Sequence, residues 1–381
     1  MDPVVGFVAG ILALLALTHG YLYLRVVRDV VRSRRGRVTG AVVLTVLGLC
    51  TAGAFLTRRV LTAEQAAPLH HVGYLWFALA LYAALVLVVG ELLRLVLRVT
   101  GRSSPERRRF LARAIAGTAG VVALGTVTYG AVEARRPRVE RREVVLDRLD
   151  PAFDGFTIAT VSDIHLGPLV DGADLRGFVA TINAAGPDVV AVVGDLVDGS
   201  VADLGRYAAP LRELTADTYF VTGNHEYFSG AAEWTQFLPT LGVRVLRNER
   251  VTLRRGAATL DLAGCDDRTA AASGVPGHGF DLDRALAGRD PEAPVVLLTH
   301  QPVMVDRAAR AGVDLQISGH THGGQLTPLT HVALLDQPVL AGLTRIGGTW
   351  LYVTRGLGFW GPPVRVGSPP EITLLTLRSG R

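Results

Sequence analysis

Eight side chains spread over 160 positions are of the kinds that bind divalent cations or work beside them: Asp163, His165, Asp195, Asn224, His225, His300, His320 and His322. Each follows a short β-branched or apolar run, which places it at the C-terminal end of an expected strand. In an open α/β sheet such ends share one edge, so residues far apart in the chain can converge on one cleft. Carboxylate, imidazole and amide oxygen without thiolate suit Mn, Fe or Zn, and suit Ca less well because imidazole is so abundant. Two such ions bridged by one carboxylate, about 3.5–4 Å apart, would hold a hydroxide at neutral pH and clamp a phosphoryl oxygen for in-line attack. No protein nucleophile is then needed.

The elements that must position these groups can be read from the punctuation of the chain. Residues 157–162, 188–194, 218–222, 259–264, 295–299 and 315–318 are brief apolar runs bounded by Gly, Pro, Asp or Asn and are expected as strands. Helix-length segments such as Leu175–Ala185 and Ala208–Leu214 lie between several of them. The alternation predicts an α/β domain over residues 151–381, with much of its sheet buried on both faces. Residues 135–150 are expected as a linker.

Ahead of that linker, residues 1–134 hold four apolar stretches near the roughly 20 residues that a helix needs to cross a bilayer. They are Val4–Tyr23, Thr39–Leu56, Val72–Val89 and Ile115–Val132, and they predict a four-helix transmembrane region. The first loop between them is rich in arginine, from Arg25 to Arg37, and so is the third, from Arg94 to Arg113; the second has only Arg58 and Arg59. Positive charge marks cytoplasmic loops, so both chain ends are expected outside, on a multi-pass protein of the cell membrane. Arg135, Arg136, Arg138, Arg141 and Arg142 oppose this bias. Arg107-Arg108-Arg109-Phe110-Leu111 supports it, since it is similar to a twin-arginine export signal ahead of an apolar stretch.

Charge also excludes partners. Residues 1–142 carry 20 arginines against 7 acids, and residues 143–381 carry 19 against 27, so a net +13 precedes a net −8. The globular half is acidic and offers no basic groove for a nucleic-acid backbone. The two cysteines, Cys50 and Cys265, are too few and too separated for a disulfide framework or a thiolate metal site.

Five blocks, in order, carry a family resemblance: Asp163-Ile164-His165, Gly194-Asp195-Leu196-Val197-Asp198, Gly223-Asn224-His225-Glu226, His300, and Gly319-His320-Thr321-His322. Together they resemble the signature of the calcineurin-like metallophosphoesterases. Residues 352–358 and Pro369-Pro370-Glu371-Ile372 resemble the membrane-associated bacterial branch of that family. The resemblance implies a β-sandwich flanked by helices, with two divalent metal ions at one edge. It implies that Asp163, His165 and His322 hold the first ion, that Asn224, His300 and His320 hold the second, and that Asp195 bridges them. His225 would be catalytic, stabilising the transition state over the phosphate and protonating the leaving alkoxide. Glu226 could orient that imidazole or be an ordinary exposed acid; Asp198 and Gln325 are expected as supporting polar residues.

The expected activity is that of a membrane-anchored phosphoester or pyrophosphate hydrolase acting on a lipid-linked or envelope substrate. A nucleotide phosphodiesterase and a non-catalytic membrane sensor are the alternatives, and the sensor would usually have lost a ligand or the catalytic histidine. Asp163 as a phosphorylated nucleophile would call for a second aspartate two positions on, where His165 stands. His278 is expected to border the cleft, and Phe359 with Trp360 to line a groove or meet lipid headgroups. His19, His70 and His71 are expected as polar residues of the bundle or its boundary.

Overall fold

A computed structural model describes residues 3–57, 60–100 and 104–380. Arg58, Arg59 and Arg102, which enter the charge argument above, lie outside the described residues. The chain divides into two compact units, one formed by Met1–Val132 with Gly361–Val366 and the other by Glu133–Trp360 with Gly367–Arg381.

The first unit is built on four helices: α1 (Pro3–Leu22), α2 (Arg34–Leu56), α3 (Ala63–Val99) and α4 (Pro105–Glu133). Among the described residues α2, α3 and α4 have the length and apolar content of membrane spans, and the 20-residue α1 covers the first expected span. The second and third helices run well beyond their apolar stretches. Thr62 begins α3 with a reciprocal capping box through Gln65, so polar groups satisfy the backbone where the apolar pattern has already stopped. The bundle histidines have ordinary partners. Trp76 Nε1 donates to His19 Nε2 at 2.9 Å, and buried His70 lies 3.3 Å from Thr57 Oγ1.

The second unit is a sandwich of two six-stranded sheets. One has the order β1 (Arg138–Leu146), β12 (Glu371–Ser379), β2 (Thr157–Val161), β3 (Val189–Val193), β4 (Asp217–Val221) and β5 (Val243–Val245). The other has the order β10 (Gly342–Ile346), β11 (Thr349–Val353), β9 (Leu315–Ser318), β8 (Val295–Leu298), β7 (Ala258–Gly264) and β6 (Glu249–Arg255). Alternate residues of the two inner faces make one core, with Ile158, Ala191 and Val221 from the first sheet against Leu262, Val296 and Ile317 from the second. The intervening residues Val190 and Val192 are buried as well. That is why the central strands read as unbroken apolar runs, and helices flank the sheets as expected.

Residues 138–146 correct the linker expected at 135–150. They form β1, paired in parallel along its whole length with β12. It is an edge strand carrying Arg138, Glu140, Arg141, Arg142 and Glu143. Charge of that kind protects an open edge from further pairing, and it hides the strand from a hydropathy reading.

Candidate metal centre

Five of the eight expected residues leave the first sheet and three leave the second. Asp163 and His165 follow β2, Asp195 follows β3, and Asn224 and His225 follow β4; His300 follows β8, and His320 and His322 follow β9. The strands of the two layers therefore deliver them to one edge of the sandwich. Close approach there depends on missing side chains. A Cβ on Gly223 would lie 2.2 Å from Asp195 Oδ1, and one on Gly319 would lie 2.4 Å from Asp163 Oδ2. Asp163, His165, Asp195, His320 and His322 all have positive φ, between 50° and 72°. Such conformations cost about 1–3 kcal/mol each and persist where surrounding structure imposes them.

Three groups result among the described residues. Asp163, His165 and His322 form one, Asp195, His300 and His320 a second, and His165, Asp198 and His225 a third, each offering ligand atoms within 4.8 Å of one another. Asp195 stands between the first two, its Oδ2 3.9 Å from His165 Nε2 and 3.1 Å from His300 Nε2. Asn224, whose side-chain oxygen is buried, opens the short helix beside Asp195, and the His225 N–H donates to Asp195 Oδ1 at 2.8 Å.

Among the described residues, the buried Asp163 Oδ1, Asn224 Oδ1 and His300 Nε2 have no hydrogen-bond partner of good geometry, although His300 Nε2 lies 3.1 Å from Asp195 Oδ2. His300 Nδ1 donates to the Val193 carbonyl at 2.7 Å, so in the neutral ring Nε2 carries a lone pair and points it at a carboxylate oxygen. His165 repeats the pattern, with Nδ1 directed to Asp198 Oδ1 and Nε2 only 3.0 Å from His322 Nε2. Acceptors that crowd together in a buried site need a cation between them. The donor set therefore fits divalent metal, held by oxygen and nitrogen without sulfur.

Electrostatics point the same way. Burial opposes a charge on His165 and on His300, yet Asp198 together with Asp195 and Asp163 raises the first, and Asp195 with Asp163 raises the second well above the usual range. Burial likewise opposes charge on Asp195, but His300, His225 and His165 hold its carboxyl well below the usual carboxylate range. His320 is lowered by burial and by His300. Protons thus gather where cations would sit. The sign of the linkage follows. Raised histidines stabilise the metal-free fold below their ordinary 6.5 and lose that contribution as pH rises. Glu226, pushed up from 4.5 to about 7 by burial and by Asp195, loses stability over the same rise. The Asp195 contribution is fully present above its ordinary 3.8 and changes only below it, so it does not offset them over this range. Metal binding requires the deprotonated rings. The gain in melting temperature of the detergent-solubilised chain on adding Mn2+ is therefore expected to be larger at pH 8 than at pH 5.5; a larger gain at the lower pH would contradict this assignment of charge.

Two acids were undervalued by the sequence. Asp198 Oδ1 accepts from His225 Nδ1 at 2.5 Å and from His165 Nδ1 at 3.2 Å, so one carboxylate sets the tautomer of both rings. Glu226 neither orients His225 nor lies exposed. It is fully buried and accepts four backbone N–H groups, those of Gly223 and Asp195 on one oxygen and Leu196 and Val197 on the other, at 2.6–3.3 Å. It holds the turn that presents Asp195. Its spacing after Asn224-His225 is a helix N-terminal pattern that could have signalled backbone capture.

The late motifs also find roles. Glu371 accepts from the Tyr352 hydroxyl at 2.8 Å and from the Arg355 N–H at 3.2 Å, and pairs with the Arg355 guanidinium. This ties the segment after β11 to the start of β12, and the Gly358 N–H from that segment donates to the Asp163 carbonyl at 2.8 Å. Gln325, at φ 40°, exchanges two hydrogen bonds with the Trp360 backbone. His278 lies 3.2 Å from the Tyr227 hydroxyl, two residues beyond His225.

A two-layer sandwich with an aspartate and histidine cage on its edge, and no enclosed protein nucleophile required, is the architecture of a metal-dependent phosphoesterase. Residues 156–324 match the family profile described as calcineurin-like phosphoesterase. The chain is similar to an uncharacterized metallophosphoesterase of Bacillus subtilis, 32% identical across 72% of this chain and 98% of that one. It is 33% identical to another from Aquifex aeolicus, across 66% of this chain and 95% of that one. The chain belongs to the calcineurin-like phosphoesterase family. A Danio rerio transmembrane protein with a metallophosphoesterase domain is 40% identical over 260 residues; the match covers 66% of this chain and 60% of that protein's length.

Proposed function

We propose that the chain is a membrane-anchored hydrolase of phosphoester or pyrophosphate bonds, with its globular unit outside the cytoplasm. Asp163, His165 and His322 would hold one divalent ion, Asn224, His300 and His320 a second, and Asp195 would lie between them. Bound there, such ions would supply an activated water and neutralise the phosphoryl oxygens. The residues of the chain do the rest. Asp198 keeps the His225 proton on Nδ1 in the neutral ring; once protonated, Nε2 can donate to the leaving alkoxide. The single observation that carries this reading is the set of buried, unpartnered donor atoms on Asp163, Asn224 and His300 around Asp195.

A lipid-linked substrate is supported by the rim. Phe228 is half exposed, with its ring centroid 5.5 Å from that of His225. The turn Leu329–Leu335 packs on Gly324, two residues past His322, and leaves Val332 and Leu335 exposed, the latter at 87%. Trp360 is also exposed. Apolar surface at the mouth of a polar cage suits a substrate with one charged end and one greasy end. The acidic globular half argues against nucleic acid as partner. The test is an assay of the full chain in detergent with Mn2+, comparing a soluble diester, a soluble monoester and a lipid pyrophosphate. V332E/L335E is expected to raise KM for the lipid pyrophosphate about tenfold and to leave the soluble esters unaffected. Equal loss on all three, or none on the lipid, removes the lipid-linked reading.

A further inference from the structure

The arginine-rich loops read from sequence meet in space within the helical unit, and they enclose a second polar site. Arg25, just after α1, pairs with Asp29 at 2.9 Å and with Glu91 of α3 at 2.8 Å. Arg94, one turn further along α3, reaches the same two acids at 3.6 and 3.1 Å. This four-residue network forms one wall of a cavity of about 230 Å3, which Arg98, Arg107, Arg108 and Arg109 also line. A liquid water occupies about 30 Å3, so the space takes several waters or one tetrahedral anion.

The charges do not balance. Six arginines and one acid, Asp29, are among the residues that line the cavity. The Arg94 side chain is only 10% exposed, and its buried Nη2 has no hydrogen-bond partner among the described residues. A guanidinium nitrogen left unpaired in a buried wall is costly unless an anion completes it. Ser104 Oγ accepts the Arg107 N–H at 3.2 Å as α4 begins, and the early turns of that 29-residue helix supply Arg107, Arg108, Arg109, Leu111 and Ala112 to the lining.

Depth identifies the anion. The apolar stretch of α3 ends near Val89, and at 1.5 Å per residue Arg94 lies about 7 Å beyond it, in the headgroup layer rather than in hydrocarbon or open water. Leu97, Leu111 and Ala112 provide an apolar flank beside the arginines. We infer that this cavity binds the phosphate headgroup of an anionic phospholipid, with the guanidinium of Arg94 completing its donor set on the phosphate and the apolar flank receiving the root of the acyl chains. Basic pockets between membrane helices recognise lipid headgroups in this manner. The site is separate from the aspartate and histidine cage and does not depend on its chemistry.

Native mass spectrometry of the full chain in detergent tests the inference with phosphatidylglycerol, phosphatidylcholine and inorganic phosphate as probes. Phosphatidylglycerol is expected to bind at one per chain, about tenfold or more tighter than phosphatidylcholine. R94Q should abolish that preference. Because R94Q also disturbs an ion-pair network, R98Q/R108Q at two exposed positions is the second variant, expected to cut the preference to about threefold or less with soluble-ester turnover and melting temperature unchanged. Equal binding of the two lipids by the wild type would overturn the proposal, as would a preference that survives in R98Q/R108Q. Displacement of phosphatidylglycerol by inorganic phosphate at equal concentration would also overturn it, since the ligand would then be free phosphate.

Discussion

Replacement of His225 by alanine is expected to lower turnover by about 10² or more while leaving the metal content of the protein unchanged. The imidazole is held from behind by Asp198 at 2.5 Å and from the side by Phe228. Its Nε2 stays 3.9 Å from Asp195 Oδ2, too far for a hydrogen bond. In the proposed mechanism this ring would give a proton to the leaving oxygen. Losing it removes proton transfer and leaves the donor cage intact. The measurement is kcat with a poorly leaving alkoxide compared with an activated phenoxide, alongside elemental analysis of the same sample. The loss should be largest for the alkoxide, which needs the proton more. Equal losses on both, or a loss of metal, would remove His225 from proton transfer.

Replacement of Asp195 by alanine should cost more, about 10³ or beyond, because it removes the carboxylate that lies between the two proposed metal sites. The geometry makes the prediction specific. Asp195 Oδ2 faces His165 on one side and His300 on the other, and Oδ1 takes the His225 N–H. Its positive φ is imposed by Glu226, which grips the N–H groups of Asp195, Leu196 and Val197. With that scaffold untouched, D195A is expected to fold, to keep the circular dichroism of the wild type and to lose bound metal. Retention of two metals with a turnover loss under about tenfold would show that the cage does not depend on a shared carboxylate.

Much of this was legible because the site and the core use strong local signals. The central strands β3 and β8 are unbroken apolar runs, β2 and β9 are short runs broken only by Thr, Gln or Ser, and the boundaries of all four match the sequence reading to within a residue or two. The peripheral strands were not legible. Edge strand β1 is charged at five of its first six residues, β5 is only three residues long, and β10 offers Gly342 and Arg345 in place of a hydrophobic rhythm. Each is defined by the neighbour it pairs with, and a single chain does not display its neighbours. The same holds for the supporting acids. Asp198 and Glu226 each lie three positions or fewer from a ligand, yet one binds imidazoles and the other backbone. Which one does which depends on the turns after β3 and β4 coming together.

Seven oxygen and nitrogen donors from two sheets are proposed to cage two cations. Elemental analysis of the full chain, purified in detergent, stripped with chelator and reloaded with Mn2+, measures this directly. Two metals per chain are expected for the wild type. One metal or none in the wild type, in protein whose melting behaviour shows it to be folded, would contradict the account.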